Sequence, residues 1–169
     1  DRDQMCELFG LEYYAFPPSG LAYPEAGMVL TGLGDPYYPH ELVHMVVNTL
    51  APEMNSIISE GIATWLGGSV EMDLKGLVHS TSERLDQEGY PTIESIFRGE
   101  LTDQQVLYTA SAALCKAVFA RHGLQGIKEL MKTRTNEQAL TSLRRLLALQ
   151  PESPAESIKP YFTEVMYSN

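Results

Sequence analysis

The chain predicts a mostly helical α+β fold, and three observations carry that expectation. Short apolar stretches bounded by glycine and proline occupy the first forty or so residues and read as strands. From Pro39 onward, apolar residues recur at helical spacing between recognisable start and stop signals. No internal repeat or low-complexity tract interrupts the pattern, and 169 residues suit one domain able to bury a core.

The elements follow in order. Residues 1–9 suggest a helix end, and Leu11-Glu12-Tyr13-Tyr14-Ala15-Phe16 a strand stopped by Pro17-Pro18. A second strand is expected over 27–31, between Gly27 and Gly32. Pro39 suits the first turn of a helix, where its missing N–H costs nothing, and Pro52 suits a stop just after Leu50. Between them Leu42, Val43, Met45, Val46, Val47 and Leu50 surround the axis, which predicts a helix buried between two layers.

A second helix is expected from Asn55 or Ser56, either of which can act as N-cap, to a stop at Gly67-Gly68. Residues 70–100 read as irregular, with short helices near 82–88 and 92–98. Thr102-Asp103-Gln104-Gln105 has capping-box form and opens a long helix over 103–122, ended by Gly123. Further helices are expected near 124–132, 136–149 and 154–167, the last opened by Ser153-Pro154. The apolar stripe Leu140, Leu143, Leu146 and Leu147 is expected to pack on the helices that carry the candidate site residues, and not to recruit a partner. The whole reads as one domain over 1–169, with a small sheet subdomain and first helix in 1–52 and a helical subdomain in 53–169. Because it opens on Asp1-Arg2-Asp3-Gln4, it reads as part of a longer chain.

A formal charge of −10 argues against nucleic acid or an anionic membrane surface as partner and favours neutral or cationic ones. No run of apolar residues is long enough for a membrane span. Cys6 and Cys115 form no metal or redox spacing.

The first proposed helix begins His40-Glu41-Leu42-Val43-His44, an HExxH sequence. Two imidazoles four residues apart on a helix share a face, with Cβ atoms roughly 5–6 Å apart, so one ion can bridge them. Catalytic zinc takes three protein ligands plus a water, so the pair needs one more donor. Counting supplies it. From His44 the helix runs about 9 Å to Leu50, and a returning helix from Asn55 places Glu60 about 7.5 Å back, at nearly the same level. His40, His44 and Glu60 are therefore the expected zinc ligands. Glu41 is not a ligand in this arrangement; it is placed to take a proton from a water that the metal polarises and pass it to a leaving nitrogen. Thr64, one turn after Glu60, and Asn48, one turn after His44, are candidates for hydrogen bonds that orient ligands. His79, in an expected loop, and His122, at a helix end, read as solvated or structural.

HELVH followed by Ser59-Glu60-Gly61-Ile62-Ala63-Thr64-Trp65 resembles the gluzincin metallopeptidases, especially the branch related to aminopeptidase N. The fifteen-residue spacer between His44 and Glu60 is about a turn shorter than in those enzymes. The resemblance implies a zincin architecture: a small mixed sheet subdomain, a helical subdomain and a metal cleft between them. It implies a zinc cofactor, a peptide or protein substrate hydrolysed at the peptide bond, and an extracytoplasmic setting. It also implies that the strand before the active helix binds extended peptide along its edge. Leu107-Tyr108-Thr109-Ala110-Ser111-Ala112-Ala113-Leu114 resembles the tyrosine followed by small residues in that branch, which makes Tyr108 the expected donor to a developing oxyanion. Aminopeptidase N carries a glycine-methionine-glutamate-asparagine signature upstream; here Gly27-Met28 is followed by Val29-Leu30, which argues against aminopeptidase activity and opens endopeptidase or specialised amidase action. The alternative is a non-catalytic module that uses the same scaffold to hold a peptide or protein.

Overall fold

The computed structural model describes residues 20–31, 38–69, 71–149 and 156–168. Within them the fold is a mostly helical α+β arrangement, as the patterning predicts. The expected helix end at 1–9, the strand at 11–16, Cys6 and the helix start at Ser153-Pro154 lie outside the described residues.

Two strands, β1 (Gly20–Tyr23) and β2 (Met28–Thr31), pair antiparallel, with Gly20 opposite Thr31 and Tyr23 opposite Met28. A 3₁₀ turn at Pro24–Ala26 joins them, closed by Gly27 in the left-handed region at φ 62°, a conformation glycine adopts without penalty. The expected mixed sheet is thus, among the described residues, an antiparallel hairpin. It packs on α1 (Pro39–Leu50).

Helix α1 keeps the bounds its prolines set, and α2 (Ser56–Gly67) returns beside it. Asn55 is the N-cap of α2: its side-chain oxygen accepts from the Ile58 N–H at 3.2 Å. Its backbone N–H donates to the Thr133 carbonyl, and its side-chain amide donates to Asn136 Oδ1, so the hairpin loop is fastened to a distant turn. One expectation fails on α1. His40, Glu41, His44 and Val47 are buried, but Leu42, Val46 and Leu50 are exposed, the last at 72%. The helix is covered on one face instead of lying between two layers. An all-round apolar composition cannot say which faces find a partner.

Helix α3 (Leu74–Glu88) contains the short helix expected near 82–88 and extends it back to Leu74 through a stretch expected to be irregular. Asp73 caps it, accepting from the Gly76 N–H at 2.8 Å, and Leu74, Leu77, Val78, Thr81 and Leu85 form its buried stripe. Gly76 and the run Ser80-Thr81-Ser82 disguise that stripe in the sequence. His79 is consequently a helical residue, exposed, 3.6 Å from Glu83 one turn on, and not part of a loop. A short α4 (Ile93–Phe97) follows, capped by Thr92.

The central element is α5 (Gln104–Leu130), capped by the Asp103 side chain and kinked where Gly123 takes φ 58°. The two helices expected on either side of Gly123 are therefore joined through the kink. Buried small residues Thr109 to Ala113 give α5 a smooth face, and α2 lies against it. At Gly61 an added Cβ would lie 2.9 Å from the Ser111 backbone, so this crossing needs glycine. Helix α6 (Asn136–Leu146) ends short of the expected 149 and packs its leucines on α5 and α4, not on the hairpin that carries the HExxH sequence. Helix α7 (Lys159–Tyr167) starts at Lys159-Pro160 and closes the core with Tyr161, Phe162 and Val165.

Candidate metal centre

Two glycines bring the ligand-bearing helices together. An added Cβ on Gly67 would lie 2.5 Å from the His40 backbone nitrogen, so the end of α2 can meet the start of α1 only without a side chain there. Gly68, with φ 72°, turns the chain away, and its carbonyl accepts a hydrogen bond of 2.9 Å from His40 Nδ1. A carbonyl oxygen only accepts, so His40 Nδ1 bears the proton and Nε2 of the neutral ring is a free lone pair.

His44 is held the same way. Its Nδ1 lies 3.1 Å from Ser59 Oγ, and that hydroxyl donates to Asn48 Oδ1 at 3.1 Å. With its own proton committed to Asn48, the Ser59 oxygen accepts from His44, and His44 Nε2 is also a lone pair. Asn48 therefore reaches the His44 ring only through Ser59. The Thr64 hydroxyl is buried and makes no hydrogen bond among the described residues.

The freed atoms converge. His40 Nε2 lies 3.2 Å from His44 Nε2 and 3.2 Å from Glu60 Oε2, and His44 Nε2 lies 3.5 Å from the same oxygen. His40, His44 and Glu60 thus form a group that can hold a metal ion. Electrostatics agree with the geometry. Burial raises the Glu60 pKa, but hydrogen bonds and charge from both histidines outweigh it and bring the carboxyl down to about 2. Burial lowers the His40 pKa, yet Glu60, the Gly68 carbonyl and Glu41 together hold it above its ordinary value. Three electron-rich atoms this close repel one another unless a proton or a cation lies between them.

Glu41 is buried beside the group and outside the ligand triangle. The Ala22 N–H of β1 donates to its carboxylate. Gly20 makes room for it: an added Cβ would lie 2.6 Å from Glu41 Cγ and 2.6 Å from the Tyr38 ring. Burial raises the Glu41 pKa, the histidines pull it back, and the Glu60 charge adds to the rise. The strand beside Glu41 is thus β1, one strand earlier than the 27–31 segment to which the resemblance pointed.

Tyr108 is half-buried near the start of α5, and burial followed by the charges of Glu60 and Glu41 pushes its hydroxyl up to about 12. It is neutral and a donor at any physiological pH. His79 and His122 stand apart; His122 donates from Nε2 to the Leu146 carbonyl at 2.6 Å. Cys115 is fully buried on α5.

Sequence reasoning missed Ser59, Gly68, Gly20 and Ala22. Ser59 had a usable signal, since it immediately precedes the expected ligand Glu60. Gly67-Gly68 reads only as a helix stop, and nothing in the sequence says that this stop abuts His40. Comparisons of the chain with protein-family models, with curated proteins and with solved structures find no match.

Proposed function

We propose that the chain is a zinc-dependent hydrolase of peptide bonds, organised like the gluzincin peptidases, with His40, His44 and Glu60 as ligands. The observation that carries the reading is the triangle of two Nε2 atoms and one carboxylate oxygen, with edges of 3.2, 3.2 and 3.5 Å. Bonds of about 2.05 Å at a tetrahedral ion set neighbouring ligand atoms about 3.3 Å apart. The residues present therefore fit such an ion, and a three-ligand set leaves one position for water or substrate.

When bound, zinc supplies a Lewis acid that polarises a carbonyl and lowers the pKa of water to about 7. The remaining work falls to the chain's own side chains. Glu41, with its pKa raised by burial, accepts the proton of the attacking water and returns it to the leaving nitrogen. Tyr108, kept protonated by its surroundings, donates a hydrogen bond to the carbonyl oxygen as charge develops there. Ser59 and Gly68 fix the ring orientations and tautomers of His44 and His40.

Removing the base while keeping the ligands separates hydrolysis from metal binding. Glu41→Gln should bind zinc in the same proportion as the unaltered protein by elemental analysis, and should lose cleavage of a fluorogenic peptide library. Unchanged turnover would show that Glu41 is not the base, and failure of both proteins to retain zinc would remove the whole reading.

A further inference from the structure

Behind His40, on the side away from the ligand triangle, lies a cleft of about 520 Å³. Tyr38, Trp65, Leu66, Met72, Glu71 and Asp73 line it. The Tyr38 ring stacks over His40 with centroids 5.9 Å apart, and the Gly68 carbonyl in the same wall bonds to His40 Nδ1, so the cleft wall touches His40 through these two residues. The walls mix aromatic and aliphatic side chains with the polar backbone of Gly67, Gly68 and Ser69, and the only charged side chains among the lining residues are the exposed carboxylates of Glu71 and Asp73. Neither carboxylate is in an ion pair among the described residues. Lys75 and Lys116 stand outside the lining, and Lys116 lies within electrostatic reach of Asp73, which leaves Glu71 the stronger anchor.

We propose that this cleft binds the lysine or arginine side chains of a basic peptide segment. A long aliphatic stem lies along Leu66 and Met72, the aromatic faces of Trp65 and Tyr38 attract the cationic head, and Glu71 with Asp73 receives it at the mouth. Charge complementarity selects this occupant, because the chain has a formal charge of −10 and, among the described residues, these walls hold no cation and carry two acids at their rim. The site stands whether or not the chain hydrolyses anything. Only the further identification of that segment as part of a substrate rests on the peptidase proposal.

Trp65 is the single tryptophan of the chain, so its fluorescence reports this cleft. The test titrates capped tetralysine, tetraarginine, tetraalanine and tetraglutamate peptides against the full chain, with calorimetry in parallel. Lysine and arginine peptides should bind and change the emission, and should weaken as salt rises from about 0.01 to 0.1 M, where the screening length falls from about 30 to 10 Å. The variant Glu71→Asn/Asp73→Asn removes both charges with little structural cost. Glu71 has φ 62°, a conformation asparagine tolerates, and asparagine caps a helix as well as the aspartate at position 73 does. It should bind the basic peptides about ten-fold more weakly at an unchanged thermal midpoint, and Glu71→Asn alone should give the larger share of that loss. Equal binding of all four peptides, no binding of the basic ones, or undiminished affinity in the variants would overturn the proposal. So would concentration-dependent self-association that the basic peptides do not compete with, since a second copy would then be the occupant. Cleavage plays no part in these readouts, so failure here is separate from failure of the hydrolytic reading.

Discussion

At the scale of single residues, the site depends on side chains that never touch the metal position. Ser59 holds His44 in the tautomer that offers Nε2, through a 3.1 Å contact and a relay to Asn48. Ser59→Ala should keep the fold and lower zinc affinity about 10–100-fold, the range for loss of a hydrogen bond that orients a ligand. Competition with a chromophoric chelator measures it, and an unchanged affinity would mean that the ring is held by packing alone. Tyr108 tests the oxyanion role. Phenylalanine there removes only the hydroxyl, and kcat should fall on the order of 10²-fold with KM little changed. A change confined to KM would make Tyr108 a binding residue instead.

At the scale of elements, close approaches carry the arrangement, and glycines permit them. Gly67 lets α2 touch the start of α1, and Gly61 lets it lie on α5. Gly20 does the same for β1, whose backbone meets Glu41 through the Ala22 N–H. Gly20→Ala should therefore displace Glu41 or Tyr38, lowering kcat while zinc content and KM stay near their starting values. If the variant turns over as fast as the parent, the hairpin does not position the base. Element boundaries were readable at Pro39 for α1, Asn55 for α2 and Asp103 for α5, but the Asp73 cap of α3 went unread and Gly123 proved a kink in α5 and not its end. Only the end of α3, near 82–88, was legible, because polar and small residues between Leu74 and Leu85 thin its stripe, and packing against α5 and α7 completes it.

For the molecule as a whole, pH links the candidate metal group to stability, with opposite signs for its carboxylate and its imidazole. Glu60 is depressed to about 2, so its contribution is present above its ordinary value of 4.5 and is lost as pH falls toward 2. His40 is raised, so its contribution is complete below 6.5 and is lost as pH rises through the folded value. In the presence of chelator the pair thus helps most between 4.5 and 6.5. Zinc must displace the histidine protons, so its stabilising effect should grow as pH rises through that window and beyond. Melting temperatures with zinc and with chelator, compared from about pH 5 to pH 8, should diverge upward. A gap that is constant, or widest at acid pH, would mean that imidazoles are not the ligands. Among the described residues no helix is long and apolar enough to cross a membrane.

The sequence by itself determined the helical character of most of the chain, the hairpin of α1 and α2, and the three residues that meet within it. Those features follow from helical period, caps and counting along two short rods, all of which are local. Which face of α1 is covered, which strand flanks Glu41, and which groups orient His40 and His44 were decided only in the folded molecule. Each depends on a contact between segments far apart in the chain, such as Gly67 against His40 or Gly20 against Glu41. A glycine in a sequence records that a side chain is missing, and only the assembled helices and strands show what comes close enough to require it.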